Sequence, residues 1–430
     1  MRRATALRRA LLAALILLCT PVHLFGQESR EGKVVVIEHA DSLVGLVVEG
    51  QRVRQLMGNV RISQGRVRLS CQRALQFLDR GDVELTGDVL VVDSNVTMRT
   101  SRAMFYREAR RAEAFGDVRL DDGKVRVASR YGEYFIGPRR AFFRDRVEVQ
   151  DAESFLESDS LMYESDARSS IATGDVRITL PAERTVIRGR RVEHFGARGY
   201  TRVTVDPLLL QTDRSPSGVA ETLVVRSVVM EAFRDTARRF VATDSVRLVR
   251  SDLAARAGWA VFHAVGDSIV LRRSPVVWYG STQITGDSID VTMQERILRR
   301  AVVTGSAFAA SQSDSLRKDR FDQLSGEVMT LGFEEGKLAG IVVERRSTSL
   351  YHLYEESRPN GANRASGDRI DIRFFAGDIA SISVQGGVQG EYFPEPMVRD
   401  REGEYALPGF RWRGDRPSLA DLTGHATGRP

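Results

Sequence analysis

A five-residue pattern returns along this chain at a constant step, and that step constrains the fold more than any other feature. Gly58-Asn59-Val60-Arg61-Ile62 is followed by Gly87-Asp88-Val89-Leu90-Val91 and by Gly116-Asp117-Val118-Arg119-Leu120. A degenerate copy reads Arg144-Asp145-Arg146-Val147-Glu148-Val149, and Gly174-Asp175-Val176-Arg177-Ile178 closes the series. The central valines, Val60, Val89, Val118, Val147 and Val176, lie 29 residues apart. Ile62, Val91, Leu120, Val149 and Ile178 keep the step, as do Val83, Ala112, Ala141 and Ser170. Leu85, Ala114, Phe143 and Ala172 form another column, and the aromatics Phe77, Tyr106 and Phe135 a further one. Self-similarity at a fixed period marks one supersecondary unit laid down repeatedly.

Each unit reads as β. Val118-Arg119-Leu120 and Val125-Arg126-Val127 alternate apolar and polar, the period of a strand with one covered face. Gly-Asp ahead of the valine is turn chemistry, because Gly tolerates positive φ and Asp bonds its own backbone. The unit is therefore expected to run turn, strand, turn, strand. A third short strand, such as Arg140-Ala141-Phe142-Phe143, leads into the next. At roughly 4.8 Å per strand, five units adding two strands each to two facing sheets make a trough on the order of 50 Å long.

The first 26 residues read as a secretory leader, with a basic head (Arg2, Arg3, Arg8, Arg9) and an apolar run from Ala10 to Leu18 too short to span a bilayer. Cys19 follows Leu18, where lipid attachment usually needs a small residue. The leader holds four of the six net positive charges, which leaves +2 and removes the electrostatic argument for nucleic acid. Nearly all basic residues are Arg, and Arg61, Arg119 and Arg177 on the polar side of the strands make a solvated face. Beyond the leader Cys71 stands alone, so no internal disulfide forms, and its alternation with Val67 and Leu69 reads as burial.

The first β domain is expected over 34–205. Asp206-Pro207 and Asp213–Gly218 mark a break. A second β region over 220–390 has a longer step. Gly286-Asp287-Ser288-Ile289 is echoed at Gly326-Glu327-Val328 and Gly367-Asp368-Arg369-Ile370, with Val303, Val343 and Val384 in step. Two hairpins are expected there, turning at Glu334-Glu335-Gly336 and at Ala376-Gly377-Asp378. The nearest approach to a helical pattern is Val229–Phe240. Five of the twelve prolines fall in 391–430, which reads as an irregular or disordered tail.

No phosphate loop, zinc spacing or nucleophile elbow is present, and His39, His194, His263, His352 and His425 are scattered. Nothing calls for a cofactor or a metal, and the chain reads as non-enzymatic. What the pattern offers is an apolar surface. It is either an ordinary core or a groove for acyl chains, where each buried CH₂ contributes about 0.8 kcal/mol.

Met57-Gly58-Asn59-Val60-Arg61-Ile62-Ser63-Gln64-Gly65 resembles the Gly-Asn-Val-x-Val-Thr-Gln-Gly strand of the OstA-like domain. Ile37–Leu43 resembles that family's opening, and Ser101–Tyr106 and Ser158–Tyr163 resemble its Ala-Ser-x-Met-x-Tyr strand. The domain occurs in periplasmic lipopolysaccharide-transport bridge proteins of the LptA type and in the N-terminal part of the outer-membrane translocon. The resemblance implies an open β-jellyroll of two facing antiparallel sheets that binds lipopolysaccharide or a related acylated lipid. It also implies edge-strand pairing with other jellyrolls of the export complex and translocon. Carried over, the groove is lined by Val60, Ile62, Val89, Val91, Val118, Leu120, Val147, Val149, Val176 and Ile178, with Phe77, Tyr106 and Phe135. The chain is about twice the length of one bridge protein and too short for a translocon barrel. The alternatives are an envelope scaffold or adhesin with a dry core, and a parallel β-solenoid enzyme acting on polysaccharide.

Overall fold

The computed structural model describes residues 35–424, apart from 65–66, 94–95, 136, 165, 215–219, 235–237, 252, 264, 295–296, 313–316, 318, 357 and 376–377. The leader expected at 1–26 lies outside them. The chain divides into two compact units, Met1–Val205 and Asp206–Pro430.

All strand pairings among the described residues are antiparallel, which overturns the parallel solenoid. Among the described residues of 229–240 there is no helix: Val229–Phe233 is a strand, and the end of the segment begins the strand Arg239–Arg250.

In the first unit the strands follow one another in order. The first two, β1 (Val35–His39) and β2 (Ser42–Val48), both pair with β3 (Gln51–Gln64). Then come β4 (Val67–Phe77), β5 (Val83–Asp93), β6 (Val96–Tyr106), β7 (Arg111–Asp121) and β8 (Arg126–Phe135). After these lie β9 (Arg140–Gln150), β10 (Phe155–Glu164), β11 (Ser169–Leu180), β12 (Thr185–Phe195) and β13 (Tyr200–Thr204). One repeat is thus two long strands and their turns.

The Gly-Asp pairs are not the turns between strands. They are corners inside strands. Gly87 and Asp88 sit at φ 77° and 49° in the middle of β5, and Gly116 and Asp117 at 71° and 50° in the middle of β7. Two successive left-handed residues bend the strand, and the register against the neighbour slips there, as at a β-bulge. The motif follows from this geometry. Gly takes positive φ freely, and Asn or Asp is the residue that best tolerates it next. The true turns lie elsewhere, at 107–110 and 122–124 for example.

Because every long strand is bent, each contributes one leg to each of two walls. Wall A carries Leu56, Ala74, Leu85, Ala103, Ala114 and onward, each opposite the next across the ladder. Wall B carries Ile62, Leu69, Val91, Met98, Leu120 and Val127 in the same way. The inward faces of both are buried, whereas Arg61, Arg119 and Arg177 on the outside of wall B are exposed.

The second unit uses the same bend. Its longest strands are β23 (Ile297–Gln312), β24 (Phe321–Glu334), β25 (Lys337–Glu355) and β26 (Arg358–Phe375), numbered in chain order, with the expected hairpin turning at Glu335-Gly336. Strand β26 also pairs with β27 (Asp378–Gln385) and β28 (Gln389–Phe393). Corners fall at Gly305-Ser306 and Arg345-Arg346.

The final segment has irregular backbone, with one-turn helices at Glu395–Val398, Glu402–Tyr405 and Leu419–Thr423, yet it is packed. It runs back across the outer face of this unit. Val398 and Leu407 join Phe308, Ala310, Leu350 and Ala362, while Leu422 joins Val224, Val249 and Trp278.

Candidate functional site: the space between two walls

The walls of the first unit enclose a cleft lined from both sides. Val83, Leu85, Ala112, Ala114, Tyr134 and Phe143 come from wall A, and Val91, Met98, Val118 and Leu120 from wall B. The walls meet near the corner, where a Cβ on Gly132 of wall A would lie 3.4 Å from Cγ1 of Val118. The cleft holds about 720 Å³ of space free of atoms, its open mouth included, but only about 40 Å³ is wide enough for the centre of a water molecule. In this state the side chains nearly fill it.

The structure places most of the valine columns on this interior. Val60, Ile62, Val89, Val91, Val118, Leu120, Val147 and Val176 are buried, and Val149 and Ile178 half-buried. Val91, Val118 and Leu120 line the cleft itself.

The three aromatics are a correction. Phe77, Tyr106 and Phe135 point away from the cleft. The corner on β4, β6 and β8 reverses the alternation: Met98 and Thr100 face inward before it on β6, but Ala103 and Phe105 after it. Phe105 and Tyr134 therefore line the cleft, and their neighbours Tyr106 and Phe135 do not. Outside, Arg80 lies over the Phe77 ring, Arg111 over Tyr106, and Phe135 meets Phe142 edge-on. Tyr106 and Tyr131 both donate to Glu113, at 3.0 and 2.9 Å. Burial first, and then the Glu113 carboxylate, push the Tyr131 phenol up to about 12.

A second column went unread in the sequence. Cys71, Thr100, Ser129 and Ser158 also recur every 29 residues, each directly across the ladder from Val60, Val89, Val118 and Val147. Each bonds the carbonyl two residues on, where the corner interrupts the ladder: Cys71 to Arg73 at 3.4 Å, Thr100 to Arg102 at 3.2 Å, Ser129 to Tyr131 at 3.0 Å and Ser158 to Ser160 at 3.2 Å. Cys71 is thus one member of a polar column, and burial pushes its thiol up to about 11. The signal was a small hydroxyl or thiol eleven residues after each of the first four central valines; Ile187 holds that place after Val176.

Residues 79–171 match the family model described as OstA-like protein. These residues are an OstA-like segment. No curated protein matches the chain. The OstA-like segment runs from the turn before β5 into β11, so it contains the residues that line the cleft from Val83 to Phe143. It also contains two clean copies of the Gly-Asp corner, at Gly87 and Gly116, and the degenerate one at Asp145. Among the described residues no helix is long and apolar enough to cross a membrane.

Proposed function

We propose that this chain is a periplasmic lipid-binding conduit, which carries lipopolysaccharide or a related acylated lipid toward the outer membrane. The observation that carries the reading is the two-sided lining of the cleft inside the OstA-like segment. Leu85 on β5 and Leu120 on β7 come from opposite legs of bent strands and face one space. Acyl chains entering it leave water at about 0.8 kcal/mol per CH₂. The repeated unit lines both walls with apolar side chains from β5 to β9, and the buried hydroxyls of Thr100 and Ser129 donate to backbone carbonyls, so an acyl chain can pass from one repeat to the next.

Exposed apolar side chains at both ends of the strand order support pairing with other jellyrolls. Leu43 and Val47 stand on β2, and Ile379 and Ile382 on β27, each strand with a single described neighbour. Edge strands of this kind accept a further strand by backbone hydrogen bonding.

A second reading, an envelope scaffold with a dry core, rests on the tightness of the cleft. A photoreactive residue at Leu120, activated in living cells, tests both. An adduct that carries acyl lipid supports the conduit. Efficient labelling of protein alone, with no lipid adduct at Leu120 or Leu85, leaves the scaffold.

A further inference from the structure

The second unit is built on the same bend, yet its interior and its back differ. Near the corner the inward positions of one wall are glycines, and each takes a valine methyl from the other wall. A Cβ on Gly286 would lie 2.5 Å from Val303 Cγ1, one on Gly326 2.4 Å from Val343 Cγ1, and one on Gly367 2.8 Å from Val384 Cγ1. A real Cβ does not come so near, so these methyls rest on bare backbone and the walls are shut against each other. The matching positions of the first unit, opposite Val60, Val89, Val118 and Val147, carry the side chains of Cys71, Thr100, Ser129 and Ser158, and among the described residues only at its end, where Gly189 meets Val203, does the same contact occur.

The outer face of that wall is held as well. In the first unit it bears exposed Arg61, Arg119 and Arg177. In the second it carries an apolar row, and residues 394–424 lie across it as a strap. The strap is fastened by side chains of the sheet that read its backbone. Gln283 donates to the Arg411 carbonyl and accepts from the Arg413 amide, both at 2.7 Å, and Gln323 accepts from the Leu407 amide at 2.8 Å. Both glutamines are buried. Arg320, fully buried, bonds Glu395 at 2.7 Å and Glu402 at 3.1 Å. Freeing the wall leaves these buried groups without their hydrogen-bond partners, which disfavours its release.

We infer that the second unit is a closed module whose walls do not part, and that acyl chains enter the first unit alone. This rests on the lipid reading above and divides it: the first unit is the conduit, and the second is a rigid block that supplies a fixed edge. Both kinds of contact act on the same wall, one from inside and one from outside, and neither exists along β3–β11.

The test uses the full chain with a benzoylphenylalanine at one of four inward positions. Leu85 and Leu120 represent the two walls of the first unit, and Met329 and Leu324 those of the second. Each variant is irradiated with dispersed lipopolysaccharide. Hydrogen exchange of the unmodified chain, with and without the same lipid, guards against variants that fail to fold. Adducts at Leu85 and Leu120 only, with exchange slowed at least several-fold in β5–β9 and unchanged in β23–β26, are the expected result. An adduct at Met329 or Leu324, or slowed exchange in β23–β26, overturns the division while leaving the conduit standing. No adduct and no change anywhere overturns the lipid reading and this inference with it.

Discussion

The backbone of Gly326 lies under the side chain of Val343, so close that a Cβ on Gly326 would stand 2.4 Å from Cγ1. Gly326 is not at positive φ, so the contact alone requires glycine. Gly326→Ala is therefore expected to cost about 1–3 kcal/mol through overpacking. Val343→Ala removes the opposing methyl and costs about 0.5–2.5 kcal/mol by the lost burial. The pair should couple. In the Val343→Ala background the Gly326→Ala penalty should fall by at least 1 kcal/mol, read from urea unfolding as a double-mutant cycle. Additive penalties would mean that the two walls do not touch there.

The corner glycines carry a different load. Gly174 sits at φ 100° with its Cβ direction 2.0 Å from Asp159 Oδ2, whereas Gly116 sits at φ 71° with Ser101 Oγ at 3.1 Å. Both lose about 1–2 kcal/mol to backbone conformation on mutation to Ala. Gly174→Ala adds a clash and should be the more damaging by roughly 1–2 kcal/mol. Asp159→Ala should erase that difference and leave the conformational part. Equal melting temperatures for the two single variants would refute the assignment.

Cys71 should behave as a misplaced serine. Cys71→Ser keeps a donor to the Arg73 carbonyl and should change stability by less than about 1 kcal/mol, whereas Cys71→Ala loses that bond. The raised thiol also links folding to pH. Its neutral form is favoured in the folded state, so its contribution is complete below pH 9 and is lost as pH rises toward about 11. Urea melts at pH 8 and pH 10 should show a drop in the native protein that Cys71→Ser removes. Alkylation at pH 8 should be slow until the first unit opens.

The valine columns were legible because burying one face of a strand forces alternation, and repetition multiplies the signal. The bend was not. Gly-Asp serves a turn and a strand-internal corner for the same reason, tolerance of positive φ, so Gly87-Asp88 has one appearance and two uses. The aromatics failed for a related cause. Counted straight along β6 from Met98, Tyr106 falls inward, but the corner inserts one residue and reverses the face. The strap was least legible of all. Proline-rich sequence without periodicity reads as unstructured, and nothing local marks Gln283, Gln323 or Arg320 as its anchors. Those three lie more than 70 residues away from what they hold.

The strap should come away with acid, and Arg320 should set where. Burial acts to raise the Glu395 carboxyl, but the hydrogen bond and charge of Arg320 outweigh it and hold the group below its ordinary 4.5. A depressed folded value means stability that is present above pH 4.5 and lost as pH falls through the folded value. Trp412 reports the event, since its ring lies 4.7 Å from that of Phe321 in the strapped state. Its emission should shift red below pH 4.5, before the strands unfold by circular dichroism. Arg320→Met leaves Glu395 and Glu402 without the buried cation that bridges them, with only Arg399 and Arg317 at their edges, and should cost about 3–5 kcal/mol. In that variant only the Arg399 side chain and the Gly361 amide still oppose the effect of burial on Glu395, so the Trp412 transition should move to higher pH. Arg320→Met combined with Glu395→Gln and Glu402→Gln should recover part of the loss and flatten the dependence. A Trp412 midpoint that stays at the same pH in Arg320→Met would show that this buried cluster does not fasten the strap.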